Sequence, residues 1–244
     1  MARGPGCGAH SARAGAGRHP RVPRGGTNLS LEAAEERAFL RLLEPAGALE
    51  IHFRDLARNL TALAGEVKSV VVTSPEPGAG RTSVCVGLGV ALARDGRRAA
   101  IVDCNLGRPR LHRIFGEPNF VGLTSALEGG LPLERCGFRA GEEGLLAVPT
   151  GPVMPGSSAL IESRELVQAV EGLKESREVV LLDAPVAEQV LRSEVFCTGF
   201  DGVLLVVHAA RTPKTLARRV TDELLQAGAN LFGAVLNGGD PGVR

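Results

Sequence analysis

The 244-residue sequence contains no tryptophan and no tyrosine, and its aromatic content rests on 8 phenylalanines. A platform of stacked aromatic rings for single-stranded nucleic acid is therefore not expected. Charge is nearly balanced, with a formal net charge of +1, so no global field draws the chain to nucleic acid or to acidic partners. The five cysteines (Cys7, Cys85, Cys104, Cys136, Cys197) are odd in number and never spaced C-x-x-C. That excludes a disulfide framework or zinc site as a first reading and favours a reducing compartment. No apolar run is long enough to span a bilayer. Residues 1–27 have no acid and almost no large apolar side chain, which predicts a disordered basic tail rather than a signal peptide.

What is present is organised around Lys68 to Ser83, KSVVVTSPEPGAGRTS. Val70, Val71 and Val72 read as a buried strand, and Pro75, Pro77, Gly78 and Gly80 as a tight loop. The run from Arg81 onward carries apolar residues at helical spacing. Strand, glycine loop and helix start together aim backbone N–H groups at one spot, which suits a phosphate. The strict pattern G-x-x-x-x-G-K-[ST] is matched by Gly80 and Thr82 and missed twice, by Pro75 and by Arg81 in the lysine position.

The rest of the chain alternates strand and helix. Further strands are predicted at Arg98–Asp103, Gly144–Pro149, Glu178–Asp183, Asp201–His208 and Asn230–Asn237. Helices are predicted after the glycine loop, in GLTSALEGG, over Ser163–Lys174 with Ser163 as N-cap, and after Thr212-Pro213 with Thr212 as N-cap. A helix or irregular segment is expected over Ala187–Thr198. Two earlier helices, Ser30 to about Leu43 and Glu50 to Leu63, form an N-terminal extension. The expected organisation is a tail at 1–27, helices within 28–66, a P-loop NTPase-like domain at 67–238 and a tail at 239–244. The fold class is α/β, a doubly wound, mostly parallel sheet flanked by helices.

Ligands of such sheets sit beyond the carboxyl ends of the strands. Asp103, Asp183 and Asn237 all fall there, beside the glycine loop. One strand-end aspartate would be an ordinary turn former. Two of them converging on a loop hydroxyl make a set in which Thr82 ligates magnesium while Asp103 and Asp183 hold it directly or through water.

The phrases VVVTSPEPGAGRTS, IVDCNLGRPRLHRIFG, GLTSALEGG, VVLLDAP, DGVLLVVHAARTP and GANLFGAVLN resemble, in order, the cytoplasmic P-loop domains of bacterial tyrosine kinases. That family serves capsule and exopolysaccharide synthesis and is similar to the Min and Par ATPases. The resemblance implies an ATP-Mg site, with Pro77, Gly78, Ala79, Gly80, Arg81, Thr82 and Ser83 cradling phosphate. Asp103 and Asn105 would lie on a second acidic motif, within a D-x-D-x-R-x-P pattern. Asp183 would be the Walker B acid, and Asn237 would lie near adenine. Asp103 would also be the candidate base for a tyrosine hydroxyl. The implied partner is a membrane polysaccharide co-polymerase or chain-length determinant, beside a possible homo-oligomer. The implied location is cytoplasmic, peripheral at the inner membrane through that partner.

The departures shape the reading. Arg81 replaces the P-loop lysine with a longer planar fork. Asn105 replaces the second acid of the D-x-D pair. No tyrosine exists within these residues to accept phosphate. An E-x-x-R-x-x-R oligomerisation motif keeps only Arg54, with Ile51 and Ala57 at its other positions. The expected protein binds ATP with weak or no tyrosine kinase activity and acts as a regulator. A working Min/Par-like ATPase is the alternative, disfavoured because Glu76 stands in the place of those proteins' signature lysine. A dinucleotide-binding domain is the remote alternative, since Gly78-x-Gly80 followed by Asp103 echoes G-x-G-x-x-G with its ribose acid, but Ser83 replaces the third glycine.

Overall fold

The computed structural model describes residues 38–45, 47–63 and 68–239, together with Met1. The expected tail at 1–27, most of the helix expected from Ser30 and the residues beyond 239 lie outside the described residues. Seven strands form one sheet: β1 (Ser69–Thr73), β2 (Ala99–Asp103), β3 (Phe138–Arg139), β4 (Leu145–Val148), β5 (Val179–Asp183), β6 (Gly202–His208) and β7 (Leu231–Asn237). Their spatial order is β3-β4-β2-β5-β1-β6-β7. All pairings are parallel except that of β3 with β4. Strands β1, β2, β4 and β5 are buried at every residue, as expected of β-branched runs covered on both faces.

The helices are α1 (Glu50–Leu63), α2 (Arg81–Arg94), α3 (Leu111–Phe115), α4 (Leu123–Gly129), α5 (Ser157–Ile161), α6 (Arg164–Lys174), α7 (Ala187–Val190), α8 (Glu194–Thr198) and α9 (Lys214–Gln226). One face of the sheet packs on α1, α2 and α3, through Phe53, Leu88, Leu92 and Ile114. The other packs on α4, α6, α8 and α9, through Leu123, Leu166, Phe196 and Leu224. Helix α2 is buried along nearly its whole length, because α1 covers the side turned away from the sheet. The ring of Phe53 on α1 sits over Gly87, where an added Cβ would lie 2.5 Å or less from three ring carbons. No described helix is long and apolar enough to cross a membrane.

The structure refines the expectations at three places and corrects one of them, the Thr212 cap. The sheet carries a two-residue antiparallel edge strand, β3, too short to leave a periodic signal. The segment from Ala187 to Thr198 is two short helices, α7 and α8. Ser163 is the N-cap residue of α6 as expected, though its Oγ donates to the Leu160 carbonyl at 2.6 Å and not to the helix start, whereas Thr212 does not cap α9, which begins at Lys214 behind Pro213. Thr212 instead accepts from the His208 amide at 3.1 Å and donates to Glu76 at 2.6 Å, so its side chain serves the glycine loop.

Candidate functional site

The register of the central strands builds the site. Asp103 and Asp183 are direct partners at the ends of β2 and β5, and Val72 of β1 pairs with Asp183 from the other side. The loop that leaves β1 turns over these strand ends because Gly78 and Gly80 adopt positive φ (76° and 96°). Gly80 then caps α2 from the left-handed region, which places Thr82 in the first turn. Thr82 Oγ1 donates to Asp183 Oδ2 at 2.6 Å, and both are buried. Asp183 Oδ1 is buried and has no hydrogen-bond partner.

Asp103 is fully buried and differently engaged. Its Oδ1 accepts the Asn105 amide at 3.1 Å, and its Oδ2 accepts those of Arg110 and Leu111, each at 3.1 Å. The carboxylate thus ties the segment after β2 into a hook that starts α3. Burial, then the charge of Asp183, pushes Asp103 well above the usual carboxylate range, against the pull of those three amides. Burial pushes Asp183 up as well, opposed by the Thr82 hydroxyl and by the charges of Arg81 and Arg110. Cys85 and Cys104, buried nearby, have thiols pushed well up by desolvation, which makes them inert as nucleophiles.

The glycine loop is latched from several sides. Arg81 Nη1 donates to Ser74 Oγ at 2.9 Å, and Ser74 Oγ donates to the Glu76 carbonyl at 2.6 Å. Asn237, at the end of β7, donates to the Ala79 carbonyl at 2.8 Å and closes over Gly80, where an added Cβ would lie 2.0 Å from Asn237 Nδ2. Arg211 donates to the Gly78 carbonyl. Glu76, in the place of the Min/Par signature lysine, is held by Thr212 and works inside the loop.

A cleft of about 200 Å³ opens above this floor. Pro77, Gly78, Gly80, Arg81, Thr82 and Ser83 form one wall, and Asn105, Gly107, Arg108 and Arg110 form the other. The predicted residues therefore meet at one place. Ala79 is buried and its carbonyl is taken by Asn237, neither of them lining the cleft, and Asp103 and Asp183 are the buried acids next to it. Sequence reasoning missed Ser74, Arg108, Arg110, Gln189 and Arg211. The two arginines of the hook were visible in GRPRLH, whereas nothing local marks Arg211 as reaching Gly78.

The residues present fit a magnesium-bound phosphate chain on two counts. Thr82 spends its hydroxyl proton on Asp183, which leaves its oxygen lone pairs available, and the unpartnered Asp183 Oδ1 is a ready acceptor for a cation. The glycine loop and the start of α2 supply the amides.

On the candidate oligomer motif, Arg54 is paired with Glu50, four residues earlier on α1. Ile51 is exposed, whereas Ala57 is 1% exposed and faces the core, so the motif's last position is turned inward.

A glycine loop between a buried strand and a helix, with a hydroxyl on a strand-end aspartate one strand away, defines a P-loop nucleotide-binding fold of the Min/Par kind. The comparisons agree. No family model matches the sequence. The tyrosine-protein kinase YwqD of Bacillus subtilis is 26% identical over 205 residues, which cover 83% of this chain and 86% of that protein. The kinase domain of the Escherichia coli tyrosine kinase ETK superposes with a TM-score of 0.76 at 26% identity, covering 84% of this chain and 82% of that one. The septum site-determining protein MinD of Pyrococcus horikoshii, complexed with Mg-ADP, aligns with a TM-score of 0.59 at 26% identity over 69% of each chain. The chain is thus similar in sequence and in fold to the bacterial tyrosine-protein kinases, which are P-loop proteins.

Proposed function

We propose that this protein binds ATP with magnesium in the cleft over Gly78–Ser83 and transfers phosphate to tyrosine weakly or not at all. Its role would then be regulatory, as the cytoplasmic partner of a membrane polysaccharide co-polymerase or chain-length determinant in exopolysaccharide or capsule synthesis. The observation that carries the nucleotide reading is the Thr82–Asp183 hydrogen bond of 2.6 Å beneath the glycine loop, with Asp183 Oδ1 buried and unpartnered. Thr82 and Asp183 would hold the ion, with Asp103 acting through water because its oxygens already accept three amides. When bound, magnesium supplies charge neutralisation along the phosphate chain.

The residues of transfer support the weak-activity reading. Phosphoryl transfer depends on positioning and on charges placed around the moving group. The P-loop cation is Arg81, whose fork is tied back to Ser74. Asn105, on the cleft wall, brings no charge where the family pattern has an acid. Asp103 would remain the candidate base, buried below the cleft surface. Each such electrostatic contact is typically worth about 10²–10³ in rate, and the two need not add.

The test is paired. Phosphate transfer to a tyrosine-containing peptide is measured for the native chain and for Arg81→Lys combined with Asn105→Asp, with nucleotide binding measured for both. The expected result is binding by both and transfer faster by about 10² or more in the variant. Equal transfer rates would sink the weak-kinase reading, and absence of nucleotide binding by the native chain would sink the site.

A further inference from the structure

We propose that the cleft holds the triphosphate chain of a nucleotide whether or not a divalent cation is bound, its arginine guanidiniums supplying for binding the charge neutralisation that the metal ordinarily supplies. This rests on the nucleotide reading above and goes beyond it. The residues that line the cleft include Arg81, Arg108 and Arg110 and no carboxylate. A fourth guanidinium, that of Arg211, lies on the Gly78 carbonyl at the cleft edge, and a Cβ added at Gly78 would lie 3.7 Å from its Nη2.

The acids lie below this surface. Asp103 is fully buried, and both its oxygens accept backbone amides. Asp183 has one oxygen on Thr82 and only Oδ1 unpartnered. Asn105, which does reach the wall, is uncharged. The cleft thus shows several cations to a ligand and a single carboxylate oxygen to a metal ion.

That imbalance sets which form of the ligand is preferred. An uncomplexed triphosphate carries more negative charge than its magnesium complex. Guanidinium–phosphate hydrogen bonds are charge-assisted and can be bidentate, so each arginine replaces part of the neutralisation a metal provides. A cleft whose walls bear both signs would favour the complexed form. Walls bearing only cations lose attraction when magnesium cancels ligand charge. Magnesium remains useful for transfer, where charge develops on the moving group, but affinity does not depend on it.

The experiment is a titration of the full chain with a fluorescent ATP analogue in EDTA and in excess magnesium, at low and moderate salt. The expected dissociation constant in EDTA lies within about tenfold of that in magnesium, or below it, and weakens as salt rises. Arg108 and Arg211 are both exposed, so Arg108→Ala with Arg211→Ala tests the charges without opening the core. That pair should weaken metal-free binding by about tenfold or more. The charge-keeping pair Arg108→Lys with Arg211→Lys should retain most of it, and circular dichroism with a thermal melt confirms that both variants are folded. Binding seen only with magnesium overturns this inference and leaves the nucleotide reading intact. Metal-free binding indifferent to the alanine pair overturns the arginine assignment. No binding under either condition overturns the nucleotide reading itself.

Discussion

Replacing Asp103 with asparagine should change stability in opposite senses at the two ends of the accessible pH range. The side chain is fully buried and accepts three backbone amides, one on Oδ1 and two on Oδ2. An asparagine can turn its oxygen to the pair from Arg110 and Leu111, but its NH2 then faces the Asn105 amide. One hydrogen bond is lost and two donors confront each other in a buried place, which costs about 1–3 kcal/mol. Against this stands the charge. Burial and the neighbouring Asp183 raise the Asp103 carboxyl from its unfolded value of 3.8 toward neutrality. A carboxyl whose folded pKa is raised contributes stability that is fully present below the unfolded pKa and is lost as pH rises through the folded one. The native chain therefore loses this contribution between about pH 4 and neutrality, and asparagine, which does not titrate, avoids the loss.

At pH 5 the variant should melt below the native protein, by about 2–4 °C per kcal/mol for a chain of this size. By pH 8 the gap should close or reverse, provided that both are measured without magnesium or nucleotide. Parallel melts across pH 5 to 8 would refute the reasoning, because they would mean that the Asp103 carboxyl is ionised in the folded and unfolded states alike over that range. A magnesium-nucleotide complex should favour the ionised acids, so its binding should release protons near neutrality, detectable as a buffer-dependent heat.

The other expectations are simpler. Thr82→Ala removes the 2.6 Å donor to Asp183 and should lower the apparent affinity for magnesium in the presence of nucleotide by about tenfold, read by titrating magnesium, with the circular dichroism spectrum unchanged. Gly80→Ala puts a Cβ 2.0 Å from Asn237 Nδ2 at a φ of 96°, so it should cost about 1–3 kcal/mol in denaturant unfolding and abolish nucleotide binding. Arg94 pairs with Glu142 at 2.6 Å and also donates to the Leu43 carbonyl, so Arg94→Ala should lower the melting temperature by about 2–6 °C.

The sequence showed the strand ends clearly, and the reason is physical. A buried parallel strand must be apolar throughout, so VVLLD and AAIVD announce both the strand and the place where it meets solvent or ligand. Parallel register then brings Asp103 and Asp183 together without further information. What could not be read were interactions spanning long sequence distances at single points. Thr212 looked like a helix cap because Thr-Pro is a capping signature, yet its hydroxyl reaches Glu76, 136 residues away. Arg211 lies 133 residues from Gly78, with no local pattern to mark it. Asp103 looked like a free ligand because a sequence does not reveal the hook at 105–111 that consumes its oxygens.

The distribution of the departures bears on function more than their number. The D-x-D-x-R-x-P pattern falls on Asp103, Asn105, Gly107 and Pro109, so its arginine is also missing, replaced by a glycine with open space around its Cα. Nothing in the backbone demands glycine there, since its φ is not positive and an added Cβ would meet no atom within 4 Å. Asn105 and Gly107 are cleft-lining positions whose change removes a charge, and Arg81 is one whose change keeps the charge but alters its shape and reach, all while leaving the chain path free. The positions that shape the loop are kept: Gly78 and Gly80 at positive φ, Thr82 on Asp183, Asn237 on Ala79. The groups that hold a phosphate chain depend on backbone geometry, and those that drive transfer depend on side-chain charge. This chain retains the first set and alters the second, which is the pattern that the proposed reading of binding with weak transfer requires.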